Sequence, residues 1–181
     1  MTRFIVSDEP AALSGAALYH ASVPLFIRGL RALGAELAKA EASATERKFD
    51  PAVLVNARLA PDMLSLAGQV QRASDTSKLS AERLSGVASP RFPDTEASIP
   101  ELQQRIAATV AYLESLDPAS FAGSDTRIIE VSLGRARGDA YLLQFALPNF
   151  YFHVATAHAI LRHNGVAVGK LDYLAMHEPT A

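Results

Sequence analysis

Apolar residues recur along most of the chain at alternating steps of three and four, the spacing that places side chains on one stripe of an α-helix. This pattern predicts four amphipathic helices. The first covers about residues 11 to 40, and Pro24 lies inside its apolar stripe. Because proline removes a backbone hydrogen bond from a helix interior, we expect either a kink at Pro24 or a helix that starts close to it.

The second helix ends at Gly86, but its start is open between Asp50 and Asp62. Pro51 and Pro61 each suit the first turn of a helix, where proline is tolerated. Two starts are therefore compatible with the same apolar stripe.

The third helix opens with Ser98-Ile99-Pro100-Glu101, a capping box in which serine and glutamate satisfy free amides. Asp117-Pro118 ends it. Between Thr126 and Gly138 the period changes, and β-branched residues indicate a short hairpin or extended arm. Within that segment, residues 134–138 are predicted to be a turn or loop.

The last helical region starts near Asp139 and is interrupted by Pro148-Asn149. Its main segment covers residues 149–163 and stops at Asn164-Gly165. Residues 166–181 form a tail that folds back on the bundle. Four such helices with a long crossover predict an all-α four-helix bundle, decorated by a short extended or hairpin insertion before the last helix. We treat residues 1–181 as a single domain.

The amino-acid composition excludes several classes of active site and of binding partner. The chain has no cysteine, which excludes thiol nucleophiles, disulfides and cysteine-based metal centres. Its 17 Lys+Arg and 19 Asp+Glu argue against nucleic-acid binding, which needs a basic surface. Neither a secretory signal nor a run of about 18 apolar residues is present, so we expect a cytoplasmic protein that does not bind a membrane.

His153 is the first candidate for a site, since bundles build their sites from side chains that point inward from facing helices. It lies in or just after the first turn of the last helix, between Phe150 and Ala157 on the inward side. The positive end of that helix is expected to lower the pKa of the imidazole and favour its neutral form. Two interpretations stay open: a core histidine held by a polar neighbour, and a pocket residue.

His20 and Asp62 are the other pocket candidates. His20 adjoins the core face of the first helix, where a partly buried histidine bonded to a neighbour is the alternative. Asp62 is a first-turn acid favoured by the helix dipole if the second helix begins at Pro61. If that helix starts at Pro51, Asp62 is an interior acid that needs a partner.

Chelation of one ion by two histidines of the last helix is not expected. Histidines that share a face are three or four residues apart, whereas His153, His158 and His163 are five apart. Ala157 stands four residues after His153. We interpret His163 as a possible cation on the negative end of the helix.

Five segments of the chain carry motifs that can be compared with those of a known family. They are Ser22-Val23-Pro24, Arg58-Leu59-Ala60-Pro61-Asp62-Met63, Phe145-Ala146-Leu147-Pro148, Asn149-Phe150-Tyr151-Phe152-His153-Val154 and Gly169-Lys170-Leu171-Asp172-Tyr173-Leu174. Together they resemble an uncharacterised bacterial and fungal family, a domain-of-unknown-function branch of the DinB/YfiT-like superfamily. The resemblance covers nearly the whole chain.

The resemblance implies an up-down-down-up bundle that is often dimeric. The wider superfamily includes metal-dependent thiol transferases and hydrolases, whose metal is held by one histidine on the second helix and a His-x-x-x-His pair on the fourth. Here His153 matches the first member of the pair, Ala157 takes the place of the second, and Asp62 stands near the second-helix position. Two of the three ligands are therefore changed or missing.

We therefore predict a homodimeric DinB-like bundle that retains a polar pocket around His153, with Asp62 and His20 as further candidates. Such a pocket would bind a small polar molecule and no cofactor. The alternative is a metal-dependent transferase or hydrolase that holds a divalent metal with His153 and Asp62, joined by His20. A third interpretation is a purely structural dimerisation module, so whether the protein is an enzyme stays open.

Overall fold

The computed structural model describes residues 13–131 and 134–176. Its elements in chain order are α1 (Gly15–His20), α2 (Val23–Glu46), α3 (Ala52–Asn56), α4 (Leu66–Ser85), α5 (Ile99–Glu114), β1 (Ile128–Val131), β2 (Gly134–Arg137), α6 (Gly138–Tyr141), α7 (Leu147–His163) and α8 (Lys170–Tyr173). A 3-10 turn covers Pro118–Phe121, and a π-helical segment, Leu142–Ala146, joins α6 to α7. The helices α2, α4, α5 and α7 form the predicted four-helix bundle.

The bundle has up-down-down-up topology. Helices α2 and α7 run parallel, α7 and α4 run antiparallel, and α5 runs antiparallel to α2. The contacts that fix these directions are Phe26–Phe150 and Glu36–His158 between α2 and α7, Gln69–His153 and Thr76–Asn149 between α4 and α7, and Arg31–Glu114 and Gly34–Ile106 between α2 and α5. Helix α7 therefore lies beside both α2 and α4, and both of its neighbours shape the candidate sites.

The first predicted helix is two helices. It breaks at Ala21-Ser22, and Pro24 lies in the first turn of α2, so a helix start near Pro24 is the correct alternative. The buried hydroxyl of Ser22 donates to the Leu18 carbonyl at 2.6 Å, which satisfies both groups at the break. Helix α2 continues to Glu46, beyond the predicted end.

The predicted starts of the second helix are both wrong for its main part. Pro51 precedes only the short α3, and α4 begins at Leu66, where the Ser65 hydroxyl accepts from the Gly68 amide at 3.4 Å. Asp62 lies in an exposed turn between the two helices. It is therefore neither a first-turn acid nor an interior helical acid, because serine at position 65 supplies the cap instead.

The third helix and the hairpin follow the prediction closely. In the capping box, the Glu101 amide donates to the Ser98 hydroxyl at 3.4 Å, and the Ser98 amide donates to the Glu101 carboxylate at 3.0 Å. Strands β1 and β2 pair antiparallel, with Ile128 opposite Arg137. Residues 134–137, expected to be a turn or loop, form β2 instead.

The last helical region is continuous from Gly138 to His163, and Pro148 does not break it. The π-helical segment just before Pro148 changes the hydrogen-bond register, which accommodates the missing amide. Gly165, with φ of 81°, ends the region as predicted. The tail folds back up to residue 176, since α8 packs on α2 and the Leu174 carbonyl accepts from Arg28. Residues 177–181 lie outside the described part of the chain.

The core lies along the axis of the bundle. Its largest fully buried side chains come from every bundle helix and from the 3-10 turn, and include Phe26, Leu33, Leu84, Phe121 and Phe150. Within residues 13–131 and 134–176, no helix combines the length and the apolar character needed to cross a membrane.

Candidate functional site

Polar side chains meet along the interface of α4 with α7 and with the preceding α6. The pairs, from one end of the interface to the other, are Gln69–His153 at 2.7 Å, Thr76–Asn149 at 2.8 Å and Ser80–Tyr141 at 2.9 Å, the last at the α6 end. Such pairs satisfy buried polar groups and fix the register of two helices. Of the three pairs, only Gln69–His153 contains a group, the imidazole, that can change its charge near neutral pH.

The Gln69–His153 pair defines the tautomer of the imidazole. Gln69 is 1 % exposed, and its Oε1 lies 2.7 Å from Nδ1 of His153. Its amide nitrogen donates to the Leu64 carbonyl at 3.2 Å, which assigns Oε1 as the acceptor. Nδ1 of His153 therefore carries the hydrogen, and Nε2 carries a lone pair. No described residue bonds to Nε2, and it is not among the buried atoms without a partner, so it is open to solvent.

Burial keeps this imidazole neutral. Desolvation, and to a smaller extent the positive charge of Arg72 on α4, lower the pKa of His153 to about 4. The sequence predicted a lowered pKa for another reason, the N-terminus of the helix. That reason is wrong, because helical structure begins at Gly138, about four turns before His153.

The structure does not bring Asp62 or His20 to His153. Asp62 is exposed in the turn before α4, and His20 is exposed at the end of α1, where its ring contacts Tyr19 with centroids 5.3 Å apart. Neither side chain forms a hydrogen bond or ion pair with His153 in the described part of the chain. The polar partner of His153 is Gln69 instead.

Gln69 was missed by the sequence reasoning although the signal was present. It stands three residues after Leu66 and four before Ala73, two positions of the apolar stripe. A polar residue on that stripe must find a buried partner. His158 was also missed: its Nδ1 lies 2.6 Å from Oε1 of Glu36 on α2.

The metal implied by the resemblance does not fit these residues. Ala157 is buried on α7 and has no ligand atom, and Nδ1 of His153 is occupied by Gln69. In residues 13–131 and 134–176, no group of three or more His, Asp or Glu side chains is arranged to hold a metal ion. An amide oxygen and a single imidazole nitrogen do not make a three-histidine centre.

Comparison with known proteins agrees with the class that this bundle defines, a DinB-like helical bundle. A crystal structure of a DinB family member from Shewanella denitrificans is 42 % identical and has a TM-score of 0.86, with 92 % of this chain and 96 % of that chain covered. The family called Domain of unknown function (DUF1993) matches residues 18–174. The chain belongs to this family. No curated protein matches it.

Proposed function

We propose that this protein is a DinB-like bundle whose former metal position has become a polar ligand site, formed by His153 and Gln69. The site takes a small uncharged polar molecule, which donates an O–H or N–H group to Nε2 of His153. The 2.7 Å hydrogen bond between Gln69 and His153 carries this proposal, because it places the hydrogen on Nδ1 and leaves the lone pair of the imidazole on Nε2.

Two further observations support an uncharged ligand. The pKa of His153 is lowered by burial to about 4, so the imidazole is a neutral acceptor at neutral pH and a weak base. Arg72, whose charge acts on this imidazole, lies on the same side of α4 as Gln69, and its guanidinium is paired with Asp75 and Asp94. Neither group is an unpaired charge that would attract an ion.

The enzyme alternative, a metal-dependent transferase or hydrolase, would need ligands beside His153. Asp62 and His20, its proposed partners, form no hydrogen bond or ion pair with His153 in the described part of the chain. Gln69 offers one amide oxygen, which is a weak ligand for the borderline-soft metals that bind imidazole. The donor set therefore favours the proposal without a metal.

Metal content tests the proposal. Protein purified without a histidine tag is expected to contain no stoichiometric zinc or nickel, and titration with zinc chloride is expected to give the same weak heat for wild type and His153→Ala. His163→Ala, which removes an exposed histidine of the same helix, is the matched control. Stoichiometric metal that is lost in His153→Ala and kept in His163→Ala would contradict the proposal.

We also propose that the protein is a homodimer. Phe152 on α7 supports this, because it is 54 % exposed directly beside His153, and large apolar side chains in such positions favour interfaces. Sedimentation equilibrium is expected to give a dimer for wild type and a monomer for Phe152→Asp. A wild-type monomer at every concentration measured would contradict the dimer.

A further inference from the structure

Helix α7 presents a second histidine to a different neighbour. A separation of five residues turns the side chain by about 140° around the helix, so His153 faces α4 whereas His158 faces α2. Both are held at Nδ1 by a buried side-chain oxygen. The partner of His153 is an amide, and the partner of His158 is the carboxyl group of Glu36. The function proposed for His153 makes no use of His158.

Glu36 is an unusual residue for the middle of a bundle helix. It is 1 % exposed, and its Oε1 lies 2.6 Å from Nδ1 of His158. Its other oxygen, Oε2, is buried and has no hydrogen-bond partner in the described part of the chain. Burial is the largest cause that raises the pKa of Glu36, and the bond to His158 opposes it. A buried carboxyl group with an unused oxygen requires an explanation beyond packing.

The far side of the His158 imidazole is accessible. Its side chain is 20 % exposed, and Nε2 is neither bonded to a described residue nor among the buried atoms that lack a partner. The ring of Tyr173 on α8 packs edge-on against it, with centroids 5.8 Å apart. Nε2 therefore faces solvent at the junction of α2, α7 and α8.

Two tyrosine hydroxyls belong to the same junction. Burial raises the pKa of Tyr151, and the nearby Tyr173 raises it further. Burial likewise raises the pKa of Tyr173, with a further contribution from Glu36. Both hydroxyls therefore stay neutral donors at neutral pH. No described residue bonds to either of them.

The charged side chains around the junction already have partners. Lys39 on α2 pairs with Asp172 on α8. Arg28 on α2 donates to the Leu174 carbonyl through Nε at 3.1 Å and through a second nitrogen. Arg28 bonds to a neutral carbonyl and stays positively charged near Tyr151. Together with an accessible imidazole nitrogen and two neutral hydroxyls, it suits a hydroxyl ligand whose oxygen gains negative charge.

We propose that Glu36 and His158 form a carboxylate–imidazole dyad in which Nε2 of His158 is the base for a small molecule with an acidic hydroxyl group, such as a phenol, bound at the accessible edge of the imidazole beside Tyr173. In the step, the O–H bond of the ligand breaks and its proton moves to Nε2. The electron pair stays on the ligand oxygen. The Glu36 carboxylate stabilises the imidazolium through Nδ1–H, and the hydroxyls of Tyr151 and Tyr173 donate to the ligand oxygen.

Acylation with diethyl pyrocarbonate tests the dyad, because the lone pair that takes a proton is the one that attacks this reagent. Nε2 forms a bond to the carbonyl carbon and ethyl carbonate leaves, which then gives carbon dioxide and ethanol. The extent of labelling of each histidine is followed by mass spectrometry at neutral pH. We expect His158 to react faster than His163, although His163 is the more exposed residue. His153, held by an amide, is expected to react more slowly than His158.

Glu36→Gln keeps an oxygen for the hydrogen bond and removes the carboxylate. It is expected to slow labelling of His158 about tenfold, since loss of the group behind a functional imidazole typically costs a site about tenfold or more in activity, and to leave labelling of His163 unchanged. A purely structural pair would lose no reactivity in this variant. The proposal is overturned if wild-type His158 reacts no faster than His163, or if folded Glu36→Gln labels His158 at the wild-type rate. Should the variant not fold, the wild-type comparison alone decides.

Discussion

Replacing Arg105 by alanine is expected to lower the free energy of unfolding by about 3–5 kcal/mol, the loss typical of a broken buried ion pair. The Arg105 side chain is 1 % exposed on α5. Its guanidinium lies 2.8 Å from Asp75, 3.0 Å from Asp94 and 2.9 Å from Glu96. Without it, these carboxylates repel each other at the edge of the core, with only partial compensation from other cations.

The same cluster holds the long crossover against the bundle. Asp94 and Glu96 belong to the connection between α4 and α5, and the ring of Phe92 packs against both Arg105 and Lys78, 5.2 Å and 5.4 Å from the ring centroid. Loss of Arg105 therefore releases the connection as well as the charges.

Urea unfolding at neutral pH measures the effect of Arg105→Ala. Arg31→Ala is the matched control, because Arg31 pairs with Glu114 across two bundle helices but both side chains are about half exposed. Its loss is expected to cost less than about 1 kcal/mol. Equal effects of the two substitutions would contradict the assignment of Arg105 as a buried structural cation.

The second large effect is a dependence of stability on pH that originates at His153. The unfolded imidazole has a pKa of 6.5, and burial lowers the pKa in the folded protein to about 4. Between these values the unfolded state binds more protons, so stability is full above pH 6.5 and is lost as the pH falls toward 4. We expect a loss of about 2–3 kcal/mol, after allowance for solvent screening at a partly exposed ring.

Comparison with a variant isolates this contribution, because burial also raises the pKa of Glu36 and adds a separate dependence on pH. The free energy of unfolding is measured from pH 4 to pH 7 for wild type, His153→Gln and His163→Gln. The wild-type curve is expected to rise more steeply with pH than the His153→Gln curve, and His163→Gln is expected to follow wild type. Parallel curves for wild type and His153→Gln would mean that His153 is not held neutral by burial.

The sequence predicts helix ends correctly where the residues that determine them are neighbours in the chain. The capping box at Ser98 and Glu101 and the stop at Gly165 depend on neighbouring residues, and both are confirmed. The start of the second helix was missed because two prolines outweighed a better cap, Ser65. The glycine and arginines of residues 134–137 predict a loop, yet pairing with β1 makes these residues a strand.

The candidate site was less predictable, because its partners are distant in sequence. His153 could be singled out from its position, but 84 residues separate it from Gln69. Glu36 and His158 are 122 residues apart. Only the parallel packing of α2 against α7 brings them together, and no spacing rule along one helix contains that information. A polar residue on an apolar stripe indicates that a partner exists without identifying it.

Nitrogen-15 NMR of the imidazole side chains tests the central claim most directly, namely that His153 is a neutral imidazole held at Nδ1 by Gln69 with an open Nε2. At pH 5.5 the spectrum is expected to show a proton on Nδ1 of His153 and none on Nε2. A charged imidazolium at that pH, or the proton on Nε2, would contradict the account.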